Sequence, residues 1–206
     1  MTSRARILAA VFAGAASLAC APVPGEGHFV HVDSEEAIII WDAAAQRQHF
    51  IRRASFQTDA AHFGFLVPTP GKPELGEADD AAFMALAQIT APATTDVAPP
   101  AAKAAKSMGS PAGVAVLERK VVAGLDAAVL EATDADALYH WLKDNGYRSD
   151  PYLIEWTRPY VERNWKITAF KIAAGAPAVA TKAVRMSFQT ERPFFPYREP
   201  ATQRAA

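Results

Sequence analysis

The run AIIIWDAAAQRQHFIRRASFQTDAAHFGFLV, residues 37–67, decides the fold class. Ala37 to Trp41 is a compact apolar block of strand length. Asp42 to Ala45 follows as a turn. From Gln46 to Gln57, Phe50, Ala54 and Phe56 recur at even spacing, the two-residue period of a strand with one buried face. Phe63, Phe65 and Val67 alternate with His62, Gly64 and Leu66, and Pro68-Thr69-Pro70-Gly71 ends that strand by removing N–H donors. The stretch therefore predicts an antiparallel meander over 37–67. Arg52-Arg53 falls within it and reads as an exposed strand position.

Outward from this block, Asp79-Asp80 open a helix over about 80–90, with Phe83, Leu86 and Ile89 on one face. Residues 91–113 are rich in Ala and Pro and read as a linker or insertion. Strands resume over 113–122 and 126–130. The best-marked helix comes next. Thr133 is its expected cap, Asp136 stands three residues on, Leu138, Trp141 and Leu142 form a stripe, and Asn145-Gly146 stops it. Asp150-Pro151 opens another helix, in which Pro159 should produce a kink or a split. Residues 165–172 and 184–189 are further strands. Strands and helices come in blocks with short connections, which predicts an α+β fold: an antiparallel sheet of meander and hairpin strands with about three helices packed on it.

The chain has 206 residues, half of them hydrophobic and 21% charged, a globular composition large enough to bury roughly 70% of its unfolded surface. A formal charge of −1 predicts no nucleic-acid partner. Arg4 and Arg6 precede an uncharged apolar run from Ile7 to Ala19, the pattern of a secretory signal peptide over 1–19. The run is shorter than the roughly 17–25 residues of a membrane-spanning helix. Cleavage after Ala19 leaves a slightly more acidic chain beginning at Cys20, the single cysteine. Ser17-Leu18-Ala19-Cys20 partly matches the lipid-attachment motif of bacterial lipoproteins, with Ser17 where an aliphatic residue is usual. Two readings of Cys20 stand: an acylated N-terminus, or an incidental thiol. Residues 20–27 read as a tether, 28–198 as a single domain and 199–206 as a disordered tail.

Five histidines are present. His28, His31 and Asp33 are the only clustered candidates for a metal, since two imidazoles and a carboxylate suit a divalent ion. On a strand, however, His28 and His31 point to opposite faces, and a solvated leader segment accounts for the spacing equally well. His49 and His62 could meet across neighbouring strands; His140 should face water. No nucleophile elbow, dinucleotide fingerprint or phosphate loop is present, so no catalytic residue and no cofactor is expected. The aromatic, proline-rich run Glu191–Arg198 reads as a final segment packing its rings on the sheet.

Four blocks stand in a characteristic order: Ala61–Pro70 (AHFGFLVPTP), Ala127–Tyr147 (AAVLEATDADALYHWLKDNGY), Tyr160–Ile172 (YVERNWKITAFKI) and Met186–Pro196 (MSFQTERPFFP). Together they resemble the bacterial domain-of-unknown-function family numbered 2330, across most of residues 28–198. The resemblance implies an exported envelope protein and carries no activity, cofactor or catalytic residue with it. Relatives bear cysteines just after the leader; Gly27-His28-Phe29-Val30 stands there instead. The expectation is an exported, non-catalytic binding or structural module with an envelope ligand or protein as partner, touching membrane only through the signal peptide or a lipid on Cys20. The alternative is an exported metal-dependent or other hydrolase.

Overall fold

The computed structural model describes residues 21–24, 28–90, 113–147, 151–173 and 177–198. The expected signal peptide, Cys20, residues 91–112 of the expected linker and the expected tail 199–206 lie outside the described residues.

Ten strands and three helices are described: β1 (Ala21–Pro24), β2 (Val30–Asp42), β3 (Arg47–Thr58), β4 (His62–Thr69), β5 (Glu74–Glu77), α1 (Ala81–Thr90), β6 (Val114–Val122), β7 (Leu125–Ala132), α2 (Ala135–Asp144), α3 (Tyr152–Val161), β8 (Lys166–Ala173), β9 (Ala178–Ala180) and β10 (Val184–Gln189). The α+β class with antiparallel pairing holds. The strands form two sheets packed face to face. Sheet A runs β1-β4-β8-β7-β6, and sheet B runs β2-β3-β10-β5, with β9 beside the far end of β3. α2 and α3 cover the outer face of sheet A. α1 touches the outer face of sheet B through Phe83.

Side-chain alternation builds these layers. On β4, Phe63, Phe65 and Val67 enter the core between the sheets, while Leu66 enters the core beneath α2 and α3. A strand buried on both faces reads as the continuous apolar run seen in the sequence. Phe56 of β3 packs on Phe63 at 4.9 Å between ring centroids, and Phe65 stacks on Phe170 of β8 at 4.8 Å. Here the expected meander is corrected. β2 and β3 do form a hairpin, but β4 crosses to the other sheet. Both β3 and β4 carry large aromatic residues on alternate positions, and facing each other across the sandwich buries both sets.

Further differences have local causes. Ala21–Pro24, within the stretch read as a tether, pairs as an edge strand with Phe63–Leu66 of β4, a position that tolerates Pro22 and Pro24. The segment read as a solvated leader is largely strand, since β2 begins at Val30 and Val32 is buried. α2 is capped by Asp134 rather than Thr133: Asp134 Oδ1 accepts the Ala137 N–H at 2.7 Å, and Thr133 Oγ1 donates to Asp134 Oδ2 at 3.1 Å. α3 runs through Pro159 as one helix; the proline sits in its last turn, where only the end of the ladder loses a bond. On α1, Phe83 is buried as expected, but Leu86 and Ile89 are exposed.

The block Ala127–Tyr147 is explained by packing. Leu138, Trp141 and Leu142 bury the inner face of α2. Gly146 follows with φ +73°, which turns the chain so that Tyr147 lies against Gly64 of β4. A Cβ on Gly64 would stand 2.6 Å from the Tyr147 ring and 2.7 Å from the Phe170 carbonyl oxygen, so only glycine fits. Two of the recognised blocks thus meet at one contact.

Candidate functional site

The residues flagged in the sequence do not converge. His28 Nδ1 lies 3.4 Å from Asp59 Oδ1, at the mouth of the β2–β3 hairpin. His31 is exposed on β2, opposite Gln57. Asp33 accepts from Gln57 Nε2 at 3.2 Å. Among the described residues, no group of three or more His, Cys, Asp or Glu could hold a metal ion. His49 bonds Ser187 Oγ at 2.7 Å on the outer face of sheet B, whereas His62 is on sheet A, so the two do not pair across neighbouring strands. His140 is exposed, edge-on to Tyr139.

Arg52 overturns the sequence reading. It is 2% exposed, on the inner face of β3 between Phe50 and Ala54. Its Nη2 lies 2.9 Å from Glu35 Oε1, a carboxylate 8% exposed, and its guanidinium sits 4.3 Å over the centroid of Phe65. A bulge in β2 between Val32 and Ser34 sets this up. Val32 pairs with Phe56 and Glu35 with Ala54, so both point inward across one extra residue. The ion pair is thus sealed inside the sandwich as a close charge contact, and neither Arg52 Nη1 nor Nη2 makes a hydrogen bond among the described residues. Arg53, the next residue, faces outward, bonds Glu36 at 2.6 Å and lies over the Phe83 ring.

Other polar groups are spent on the scaffold. The buried Gln48 amide donates to the Phe194 carbonyl at 2.8 Å and accepts the Phe194 N–H at 2.9 Å. Trp156 Nε1 donates to the Arg198 carbonyl at 2.6 Å. The C-terminal run thereby spans from sheet B to the helix layer, with Phe194 packed between Phe188 and Trp165. Lys171 Nζ donates to the Asn145 carbonyl beside the end of α2; burial draws its pKa down. Burial pushes the Tyr147 phenol up and that of Tyr160 to about 12, so both remain neutral near pH 7. A cavity of about 120 Å³ opens where Glu77, Ile172, Val179 and Lys182 meet at one end of the sandwich. Glu77 there accepts the Ala123 N–H at 2.9 Å.

Several large apolar side chains are exposed on α1 and β2. α1 carries no charged residue, and among its described side chains Phe83 is the buried one. Met84 is 55% exposed and Ile89 79%, while Ile40 on the edge strand β2 is 50% exposed. Ile38, two residues before Ile40, packs toward Phe83 and Ile51, so Ile38, Ile40 and α1 share the outer face of sheet B. A helix without a charged face is ordinarily covered. In the sequence, the apolar run 37–41 and the uncharged stretch 81–90 were the visible signals for this surface. Among the described residues no helix is long and apolar enough to cross a membrane.

The family model described as an uncharacterized protein conserved in bacteria, DUF2330, matches residues 14–206. No curated protein and no solved structure matches the chain. With nearly the whole chain matched and the recognised blocks meeting in one scaffold, this protein belongs to the DUF2330 family.

Proposed function

We propose that this protein is exported to the cell envelope and works there as a non-catalytic interaction module, presenting the outer face of sheet B and α1 to a partner. The observation that carries this reading is α1: ten residues without a charge, with Phe83 buried against sheet B and Met84 and Ile89 exposed. Large apolar groups held in water are unfavourable, and contiguous ones mark interaction surfaces. Export is supported by the basic start and the apolar run from Ile7 to Ala19.

Fractionation of cells producing all 206 residues, with the N-terminus of the recovered protein read by mass spectrometry, tests the export. A processed chain beginning at Cys20 in the envelope fraction is expected; an unprocessed chain in the cytoplasm refutes it. A palmitate analogue separates the two readings of Cys20. Label that disappears in Cys20→Ala identifies an acylated N-terminus, and label that survives the substitution dismisses one. Metal analysis of the purified protein tests the hydrolase alternative. Stoichiometric zinc that is lost in His31→Ala would overturn the non-catalytic reading.

A further inference from the structure

We propose that the end of the sandwich between β10 and α3 is a groove for peptides in which aromatic residues stand between two prolines, and that the chain's own residues 193–198 fill it where a partner's segment of the same chemistry would bind. The groove is a second site, apart from α1 and the outer face of sheet B.

Residues 191–198 form neither helix nor strand and pair with no strand among the described residues. Side chains grip the backbone of this run instead. The buried Gln48 on β3 donates from Nε2 to the Phe194 carbonyl at 2.8 Å and accepts the Phe194 N–H at 2.9 Å, a two-point clamp. Trp156 Nε1 on α3 donates to the Arg198 carbonyl at 2.6 Å. Between these clamps, the rings of Phe194, Phe195 and Tyr197 meet Trp165, Phe50 and Trp156 at centroid distances of 5.4, 5.6 and 6.3 Å. Pro196 is buried, while Pro193 and Phe195 are exposed.

The chemistry is that of peptide recognition. Pro193-Phe194-Phe195-Pro196 is a P-x-x-P run, and each proline favours an extended residue before it. Grooves lined by aromatic rings take up such runs, which lose little entropy on binding. Two observations separate a groove from a fixed plug. First, the run is clamped by three side-chain hydrogen bonds, and its release breaks no strand pairing, so it opens while both sheets stay folded. Second, the run leaves part of the groove unused. The Tyr160 hydroxyl, on α3 beside the Arg198 backbone, is buried and makes no hydrogen bond among the described residues. A peptide that offers it an acceptor gains a bond that the chain's own segment does not make. A partner needs such an advantage, because a segment tethered in cis competes at an effective concentration of about millimolar.

Fluorescence anisotropy of a labelled peptide of residues 190–198, TERPFFPYR, tests this on protein purified from cells producing the full chain. Wild-type protein should bind the peptide weakly, because its own segment holds the groove. The full chain carrying both Phe194→Ala and Tyr197→Ala has that segment loosened and should bind the peptide at least about tenfold more tightly. Adding Trp156→Phe, which keeps a ring and removes the indole N–H, should weaken this binding about fivefold. A doubly substituted chain that keeps its near-ultraviolet circular dichroism and binds no more tightly than wild type overturns the proposal. So does equal binding of a scrambled peptide, or binding indifferent to Trp156→Phe. A wild-type dimer that falls to monomer in the doubly substituted chain also overturns it, naming a second copy as the occupant. Hydrogen exchange on the wild type needs no substitution. The Phe194 N–H should exchange at least about a hundredfold faster than the paired amides of β3 and β10. Equal protection would mean that the segment opens only when the whole protein unfolds, and would overturn the proposal as well. None of these results bears on the α1 surface, which cross-linking from Met84 tests separately.

Discussion

The buried pair of Glu35 and Arg52 gives the sharpest quantitative expectation. At 2.9 Å, and with an effective dielectric of 20, the two charges attract by about 6 kcal/mol before desolvation is counted. Desolvating both groups offsets most of this, so the intact pair contributes little net stability. Removing one partner is different. Glu35→Ala leaves a guanidinium 2% exposed between two sheets, with Phe65 as its remaining charge-stabilising neighbour. The expected cost is about 3–5 kcal/mol, a large part of a typical stability of about 5–15 kcal/mol. Replacing both, as Glu35→Leu with Arg52→Met, should come within about 1 kcal/mol of wild type or exceed it, because the apolar pair suits its surroundings. Equilibrium unfolding in urea, followed by tryptophan fluorescence, measures all of these variants. A coupling energy near 3 kcal/mol or more is expected. Single substitutions that each cost under about 1 kcal/mol and simply add would refute the sealed pair, placing one of the two side chains in water.

Three further expectations follow from the packing. Gly64→Ala should destabilise by about 1–3 kcal/mol, because the new Cβ meets both the Tyr147 ring and the Phe170 carbonyl; Tyr147→Ala in the same chain should recover only part of the loss, as read by thermal unfolding. Gln48→Leu removes both bonds to the Phe194 backbone and should cost about 1–3 kcal/mol, with faster proteolysis after Phe194 as the local readout. Asp134→Ala should lower the melting temperature at pH 7, by an amount that shrinks as the pH is lowered below about 4. The Ala137 N–H, chiefly, holds the Asp134 carboxyl below its ordinary value, so its contribution is full above about pH 4 and is lost as pH falls through the folded-state pKa.

Much of the secondary structure was legible because its signals are local. α2 announces itself by Leu138, Trp141 and Leu142, and β10 by strict alternation of Val184, Met186 and Phe188. The partition into two sheets was not, since Asp59-Ala60-Ala61 is short enough for either a hairpin or a crossing between sheets, and only facing rings across the core decide it. β5 and β9 are short, and β9 pairs with β3 by geometry that no periodicity records. Arg52 shows a signal that was present and overridden. The same even spacing that puts Phe50, Ala54 and Phe56 inward puts Arg52 inward too, against the rule that arginine stays outside unless paired. Its partner was hidden, because the bulge shifts Glu35 by one position. For the surface, Phe83, Leu86 and Ile89 suggested one buried stripe on α1; Phe83 is buried against Ile51, whereas Leu86 and Ile89 are exposed. His28, His31 and Asp33 stand close in sequence, but β2 begins only at Val30 and alternates its side chains, so His28 turns to Asp59 and Asp33 to Gln57.

The claim that sheet B and α1 form the working surface is tested most directly by a photo-reactive amino acid placed at Met84 in the chain produced in cells, with Asp136, exposed on α2, as the control position. On illumination, adducts of defined mass are expected from position 84 and not from position 136. No adduct from position 84, or equal adducts from both positions, would contradict the account.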